Sequence, residues 1–123
     1  MSNAPHILAV DRNQRNLELL TRFLGAAGFE LITIHCLNEF DRTLLTAPSI
    51  HAALIDISGF DRTIWSYCEP LRDRQIPFLI LSPRTSHIIQ QESLAQGAHG
   101  MLIKPLVVKE LIGLLNRLMG EQP

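Results

Sequence analysis

Charged and hydroxyl side chains follow four of the short apolar runs in this chain. They are Asp11, Asp56, Ser58, Ser82 and Lys104. Short apolar runs are typical of strands that are buried on both faces of a parallel sheet, and the carboxyl ends of such strands meet at one edge. We therefore expect these five side chains to lie close together.

A group of this kind has the chemistry of an acyl-phosphate site. A carboxylate attacks phosphorus as the nucleophile, while a hydroxyl and an ammonium group hold the phosphoryl oxygens. Asp56 is the candidate nucleophile, because it closes the apolar run 52–55 at the place where open α/β sheets have their sites. The simpler alternative is that Asp56 only caps the turn that follows it.

The elements that must position these residues alternate between strand and helix patterns. Strands are predicted at residues 6–10, 30–35, 52–56, 77–81 and 100–103, and helices at 13–27, 38–46, 61–74, 86–96 and 107–119. Pro70 falls inside the third helix, so we expect a kink or an early end there. Five strands alternating with five helices predict an α/β fold with a parallel sheet and right-handed crossovers.

Length and composition limit the classes of protein to which the chain can belong. Its 123 residues fit one domain, which we place at 6–119 between a flexible leader, 1–5, and a tail, 120–123. Eleven basic and twelve acidic residues give a formal net charge of −1, which does not favour nucleic acid or a membrane as partner. No apolar run approaches the roughly 20 residues of a spanning helix.

Two further features of the sequence bear on whether the chain is an enzyme. Cys36 and Cys68 have no CxxC spacing and are expected to be reduced thiols of a cytoplasmic protein. Residues 11–16, which follow the first strand, contain no glycine. A flavin or dinucleotide enzyme on this fold is therefore not expected.

Six stretches in order resemble the receiver domain of two-component response regulators, over residues 6–119. They are ILAVD at 7–11, NLELL at 16–20, ALIDI at 53–57, FLILS at 78–82, QGA at 96–98 and KP at 104–105. The resemblance implies a flavodoxin-like (βα)5 fold, with a doubly wound five-stranded parallel sheet. It also implies that Asp56 is the phosphoacceptor for a histidine kinase or a phosphotransfer protein. Ser82 would be the switch hydroxyl, Lys104 a phosphoryl ligand, and the Lys104–Pro105 peptide cis.

The chain departs from that family at the metal ligands and at the switch. Asp11-Arg12 stands where the family has an acidic pair, so one direct ligand of the divalent metal is replaced. Magnesium binding through Asp11, Asp56 and the carbonyl of Ser58 is therefore expected to be weak or absent. Arg12 either pairs with a carboxylate as a counter-charge or points to solvent. Met101 occupies the switch position that is usually aromatic. The alternative function is a pseudo-receiver, which binds proteins independently of phosphorylation.

Several apolar residues stand at positions that are commonly polar in receiver domains. They are Ile88, Ile89, Met101, Val108 and Leu114. In the family, the face formed by the fourth helix, fifth strand and fifth helix mediates dimers and output contacts, and a contiguous exposed apolar patch usually marks an interface. We predict a symmetric homodimer through these residues, with a partner protein as the other possibility. The alternative is that the helices are rotated and most of these side chains belong to the core.

Overall fold

The computed structural model describes residues 4–47 and 49–120. Within these residues five parallel strands form one sheet. They are β1 His6–Val10, β2 Glu30–Ile34, β3 Ala52–Asp56, β4 Phe78–Ser82 and β5 Met101–Ile103. The strand order is β2-β1-β3-β4-β5, so the sheet is doubly wound and its order reverses between β1 and β3. This arrangement confirms the predicted flavodoxin-like fold.

Helices follow each strand and cover both faces of the sheet. They are α1 Gln14–Ala26, α2 Phe40–Thr46, α3 Cys68–Asp73, α4 His87–Ala95 and α5 Val108–Leu118. The third helix is shorter than predicted, because Arg62–Tyr67 forms a 3₁₀ helix and α3 begins only at Cys68. Pro70 therefore lies in the first turn of α3, where no intrahelical hydrogen bond is lost, and it does not interrupt a longer helix.

The core consists of two apolar clusters, one on each face of the sheet. Ala53 and Ile55 of β3 contribute to the cluster under α2 and α3, whereas Ala52 and Leu54 contribute to the cluster under α1 and α5. All five residues of β3 are buried. Successive side chains of a strand point to opposite faces, so covering both faces with helices requires an unbroken apolar run. That requirement explains the sequence that ends at Asp56.

The predicted leader and tail fall partly outside the described residues, which exclude 1–3 and 121–123. Pro5 lies next to the first residue of β1 and already pairs with β2, since its carbonyl accepts a hydrogen bond from the amide of Glu30 at 2.9 Å. Among the helices of 4–47 and 49–120, none has the length and apolarity needed to cross a membrane.

Candidate functional site

Two carboxylates and a hydroxyl are buried where β1, β3 and β4 end. Asp11, Asp56 and Ser82 have exposed fractions of 2%, 1% and 0%. The amide of Asp11 donates to the carbonyl of Ile34, which extends the backbone pairing one residue beyond β1. The three side chains thus come from neighbouring strands of one sheet edge, as the sequence predicted.

Both carboxylates are oriented by the backbone that follows them. Asp11 Oδ1 accepts from the amide of Asn13 at 2.8 Å, and Asp56 Oδ1 accepts from the amide of Ser58 at 2.9 Å. This contact to the amide two residues on is the typical turn of Asp and Asn. Asp56 therefore does cap its turn, which was the simpler alternative, but only one of its oxygens is used for that purpose.

The second oxygen of Asp56 forms an ion pair with Lys104. The Nζ atom of Lys104 lies 2.7 Å from Asp56 Oδ2. Lys104 directly follows β5, its amide donates to the carbonyl of Ser82 at 2.8 Å, and its peptide bond to Pro105 is cis. The side chain of Lys104 is 24% exposed whereas that of Asp56 is 2% exposed. Lys104 is therefore a partly exposed side chain that pairs with a buried carboxylate.

The pKa of Asp11 is raised from its ordinary value of 3.8 to about 6, and burial is the largest cause. The charge of Asp56 and a hydrogen bond with it contribute to the rise, while the amide of Asn13 and the charge of Lys104 oppose it. Desolvation and a like charge both disfavour the ionised form of a carboxyl group. At pH values between 3.8 and about 6, Asp11 is therefore mostly neutral, whereas an aspartate with the ordinary pKa of 3.8 would be mostly ionised.

The hydroxyl of Ser82 is bonded within its own loop. Ser82 Oγ donates to the carbonyl of Arg84 at 2.8 Å, and the amide of Arg84 approaches Ser82 Oγ at 3.4 Å. A phosphoryl group on Asp56 would have to compete with the Arg84 carbonyl for this hydroxyl. The structure thus brings Ser82 to the predicted edge with its hydroxyl already engaged.

The hydroxyl of Ser58 has no such partner. Ser58 Oγ is buried, and within the described part of the chain no hydrogen bond to it is found. An unmade hydrogen bond of a buried group costs about 1–3 kcal/mol. Ser58 was predicted to lie at this edge, with its carbonyl as a possible metal ligand, but a buried hydroxyl without a partner was not predicted.

Arg12 reaches across to the loop after β3. Its Nη1 donates to the carbonyl of Gly59, a very short contact between residues 47 positions apart. Gly59 has φ +80, and a Cβ added there would lie 3.2 Å from Arg12 Cδ. Glycine at this position therefore allows both the left-handed backbone and the close approach of the arginine stem.

This contact differs from both alternatives considered for Arg12. Over residues 4–47 and 49–120, Arg12 forms no ion pair with a carboxylate. Its side chain is exposed, yet its guanidinium is held by a backbone carbonyl rather than being free in solvent. The role of Gly59 was not predicted, because it depends on a side-chain contact between two loops that are distant in sequence.

A cavity of about 370 Å³ opens beside these groups. It is lined by Asp11, Arg12, Asn13, Asn16, Ser58, Gly59 and Lys104. An adjoining cavity of about 300 Å³ shares Asp11, Asn16 and Lys104 with the first and reaches Asp56. Its other walls are mostly apolar side chains of α1 and of the segment after β5. A polar pocket and an apolar groove therefore meet at the two carboxylates.

The residues present are a poor set of ligands for the divalent cation that the resemblance to receiver domains implies. Among the described residues, no group of three or more His, Cys, Asp and Glu side chains has the arrangement of a metal site. Asp11 and Asp56 remain as oxygen donors, but Lys104 already pairs with Asp56. The third position is Arg12, whose positive charge repels a dication.

The predicted partner surface is exposed mainly at one residue. Ile88 is 74% exposed, while Ile89, Met101, Val108 and Leu114 are partly buried. Met101 packs against the cluster under α2 and α3, and Leu114 packs against the cluster under α1 and α5. The hydroxyl of Ser93 lies 3.9 Å from the sulfur of Met101.

Comparison with curated proteins finds bacterial and plant relatives, and the plant relative is a two-component response regulator. The chain is 30% identical to Protein PetR of Rhodobacter capsulatus over 123 residues, which are 99% of this chain and 52% of that protein. It is 25% identical to the two-component response regulator ORR3 of rice over 120 residues, which are 94% of this chain and 91% of that protein. The chain spans about half the length of the bacterial relatives it matches. No protein-family model matches the chain.

Solved structures give the same result. The chemotaxis protein CheY4 of Vibrio cholerae is 25% identical with a TM-score of 0.80, and the match covers 94% of this chain and 98% of that one. A response regulator protein from Burkholderia pseudomallei, solved with a phosphorylated aspartic acid, calcium ion and citrate, is 23% identical with a TM-score of 0.80. That match covers 95% of this chain and 69% of the other.

Proposed function

The chain is a receiver domain of the two-component response regulators, and from this premise we propose that Asp56 accepts a phosphoryl group from a histidine kinase or a phosphotransfer protein. A receiver domain is a signalling module and not an enzyme. The observation that carries the proposal is the Lys104–Asp56 pair, in which a buried carboxylate at a strand end is held by an ammonium group at 2.7 Å. The phosphorylated aspartic acid in the Burkholderia pseudomallei protein supports the same chemistry.

The proposed step is a displacement at phosphorus. A carboxylate oxygen of Asp56 forms a new O–P bond as the P–N bond of the donor phosphohistidine breaks. The electron pair of the broken bond stays on the imidazole nitrogen, which takes up a proton from solvent. Lys104 remains beside the acyl phosphate and balances part of its charge. Ser82 contributes its hydroxyl once it leaves the carbonyl of Arg84.

The test is phosphorylation by a small donor. Purified protein is incubated with acetyl phosphate and magnesium, and its intact mass is recorded. We expect the wild type to gain one phosphoryl group and Asp56→Asn to gain none. Asp61→Asn is the matched control, because Asp61 is an exposed aspartate in the next turn. The proposal is wrong if Asp56→Asn is labelled like the wild type, or if neither acetyl phosphate nor a phosphotransfer protein labels the chain.

The alternative is a pseudo-receiver that binds a partner without phosphorylation. Two contacts favour it, the bond from Arg12 to Gly59 and the bond from Ser82 to Arg84, because both engage polar groups at this edge of the sheet in the unphosphorylated chain. This alternative predicts that partner binding is unchanged in Asp56→Asn. The phosphoacceptor function predicts that the same substitution abolishes the phosphorylation-dependent part of binding.

A further inference from the structure

We infer that Arg12 takes the place of the divalent cation in this pocket, so that a phosphoryl-type anion binds beside Asp56 without metal. The inference rests on the proposed function, since it concerns the same pocket. It concerns a different property, however, namely the source of the positive charge that receives the anion. The two are therefore separable by experiment.

The position of Arg12 is fixed by contacts with the loop after β3. Its Nη1 is bonded to the carbonyl of Gly59, and its stem occupies space that a Cβ at residue 59 would crowd. Arg12 thus joins the loop after β1 to the loop after β3. The residues that would hold a metal, Asp11, Asp56 and Ser58, lie at the ends of the same two strands.

The polar cavity offers the donors that a phosphoryl-type anion requires. Arg12 and Lys104 line it as two cations beside Asp11, and Asn13 and Asn16 line it as well. A guanidinium group has five N–H donors, and within residues 4–47 and 49–120 only the bond to Gly59 uses one of them. Arg12 therefore keeps donors for an anion while it holds the loop.

The buried hydroxyl of Ser58 supports the same assignment. Ser58 Oγ is without a partner in the described part of the chain, and Ser58 lines the cavity with Arg12 and Lys104. A hydroxyl donates to an anion as well as to a carbonyl. An oxyanion held between Arg12 and Lys104 would satisfy this group.

The experiment measures binding of beryllofluoride, a phosphoryl analogue that needs no donor. Protein passed over a chelating resin is titrated with beryllium and fluoride, with and without added magnesium, and the amide NMR signals of Ser58 and Gly59 are followed. We expect the dissociation constant of the wild type to be the same in both conditions. Arg12→Gln is expected to weaken metal-free binding by about tenfold or more, the size of one hydrogen bond to a charged group.

Two variants sharpen the result. Arg15→Gln is the matched control, because Arg15 is an exposed arginine three residues along the chain that does not line the cavity. It should bind like the wild type. Arg12→Asp restores an acidic pair and should bind beryllofluoride only when magnesium is present. Circular dichroism of each variant verifies that its fold is retained.

The inference is overturned if the wild type needs magnesium, if it binds in neither condition, or if Arg12→Gln binds like the wild type without metal. Its failure is distinct from failure of the proposed function, because labelling of Asp56 is read separately by mass. Metal-free binding without labelling by either acetyl phosphate or a phosphotransfer protein leaves this inference intact and refutes the phosphoacceptor role. Labelling of Asp56 in the presence of magnesium, combined with beryllofluoride binding that requires magnesium, supports the phosphoacceptor role and overturns this inference.

Discussion

Lys104 Nζ lies 2.7 Å from Asp56 Oδ2, and this ion pair connects the ends of β3 and β5 across β4. The carboxylate is almost fully buried, while about a quarter of the lysine side chain reaches solvent. A buried charge without its partner is strongly unfavourable, because the protein interior does not replace the hydration it lost. The two residues should therefore respond very differently to substitution.

We predict that Lys104→Ala lowers the free energy of unfolding by about 3 kcal/mol, because it leaves Asp56 buried and unpaired. Asp56→Asn should cost much less, since the freed ammonium group can turn to water. The variant that carries both substitutions should recover most of the stability lost in Lys104→Ala. A double-mutant cycle, with each free energy of unfolding taken from urea denaturation, measures this recovery. Equal losses for the two single variants, with no recovery in the double one, would contradict this account.

The second prediction concerns the pH dependence of stability. The folded pKa of Asp11, about 6, is above its ordinary value of 3.8, so the folded state binds more protons than the unfolded state between these values. The contribution of Asp11 to the free energy of unfolding therefore falls as pH rises from about 4 to 6, by about 2 kcal/mol. Asp11→Asn should remove this fall and be more stable than the wild type at pH 7.

The measurement compares wild type and Asp11→Asn by urea denaturation at several pH values in metal-free buffer. The informative quantity is the difference in the free energy of unfolding between the two proteins at each pH, because other carboxylates titrate in the same range. This difference should be small near pH 4 and reach its full size above pH 6. Parallel curves over the whole range would show that burial does not raise the pKa of Asp11.

The third prediction concerns magnesium itself. Because Arg12 replaces a carboxylate and repels a dication, the wild type should bind magnesium weakly in calorimetry. Arg12→Asp should bind it more tightly by at least about tenfold, since magnesium prefers carboxylate oxygens. Arg15→Asp changes the charge by the same amount outside the pocket and should have a much smaller effect. Tight binding by the unmodified protein would refute the prediction.

The fold could be predicted from the sequence because the pattern of apolar residues indicates directly which residues are buried. The unbroken run of β3 requires helices on both faces, and alternation of strands with helices then leaves few topologies. Asp11, Asp56, Ser82 and Lys104 could be placed together for the same reason, since parallel strands bring their carboxyl ends to one edge.

The contacts made by side chains in the loops could not be predicted in this way. The bond from Arg12 to Gly59 depends on a left-handed backbone at Gly59 and on the rotamer of an arginine 47 positions away. The bond from Ser82 to Arg84 depends on the conformation of the loop after β4. Periodicity carries no information about either, because both lie outside the regular elements.

The fourth prediction concerns the response to a phosphoryl analogue. Met101 is partly buried, and its sulfur lies 3.9 Å from the hydroxyl of Ser93. It lacks the aromatic ring that is usual at the switch position, and an unbranched methionine side chain can fill space in either state. A ligand shifts an equilibrium only by its differential affinity for the two states. Beryllofluoride should therefore shift amide signals near Asp56 but leave those of β5 almost unchanged.

Met101→Phe is the informative comparison, because it restores an aromatic ring at the switch position. We expect its amide shifts to extend further along β5 than those of the wild type at saturating beryllofluoride. Large shifts that spread from Asp56 to β5 in the unmodified protein would show that Met101 supports a full switch.

The last prediction concerns self-association through the face formed by α4, β5 and α5. Ile88 is the most exposed member of the predicted patch, at 74%, and an exposed apolar side chain of this size is a candidate anchor of an interface. We predict a symmetric homodimer at high protein concentration. Ile88→Asp should shift the population to monomer without loss of stability, because the side chain packs little in the single chain.

Sedimentation velocity over a range of concentrations tests this prediction. Leu45→Asp is the matched control, because Leu45 is 75% exposed on α2, outside the predicted patch. It introduces the same charge and should leave the dimer intact. Ile89 and Leu114 are less suitable for substitution, since both are partly buried and a charge there would also disturb the core.

A wild type that stays monomeric at every concentration and binds no partner through this face would show that Ile88 is simply an exposed residue. Association that Leu45→Asp disrupts as strongly as Ile88→Asp would place the contact elsewhere.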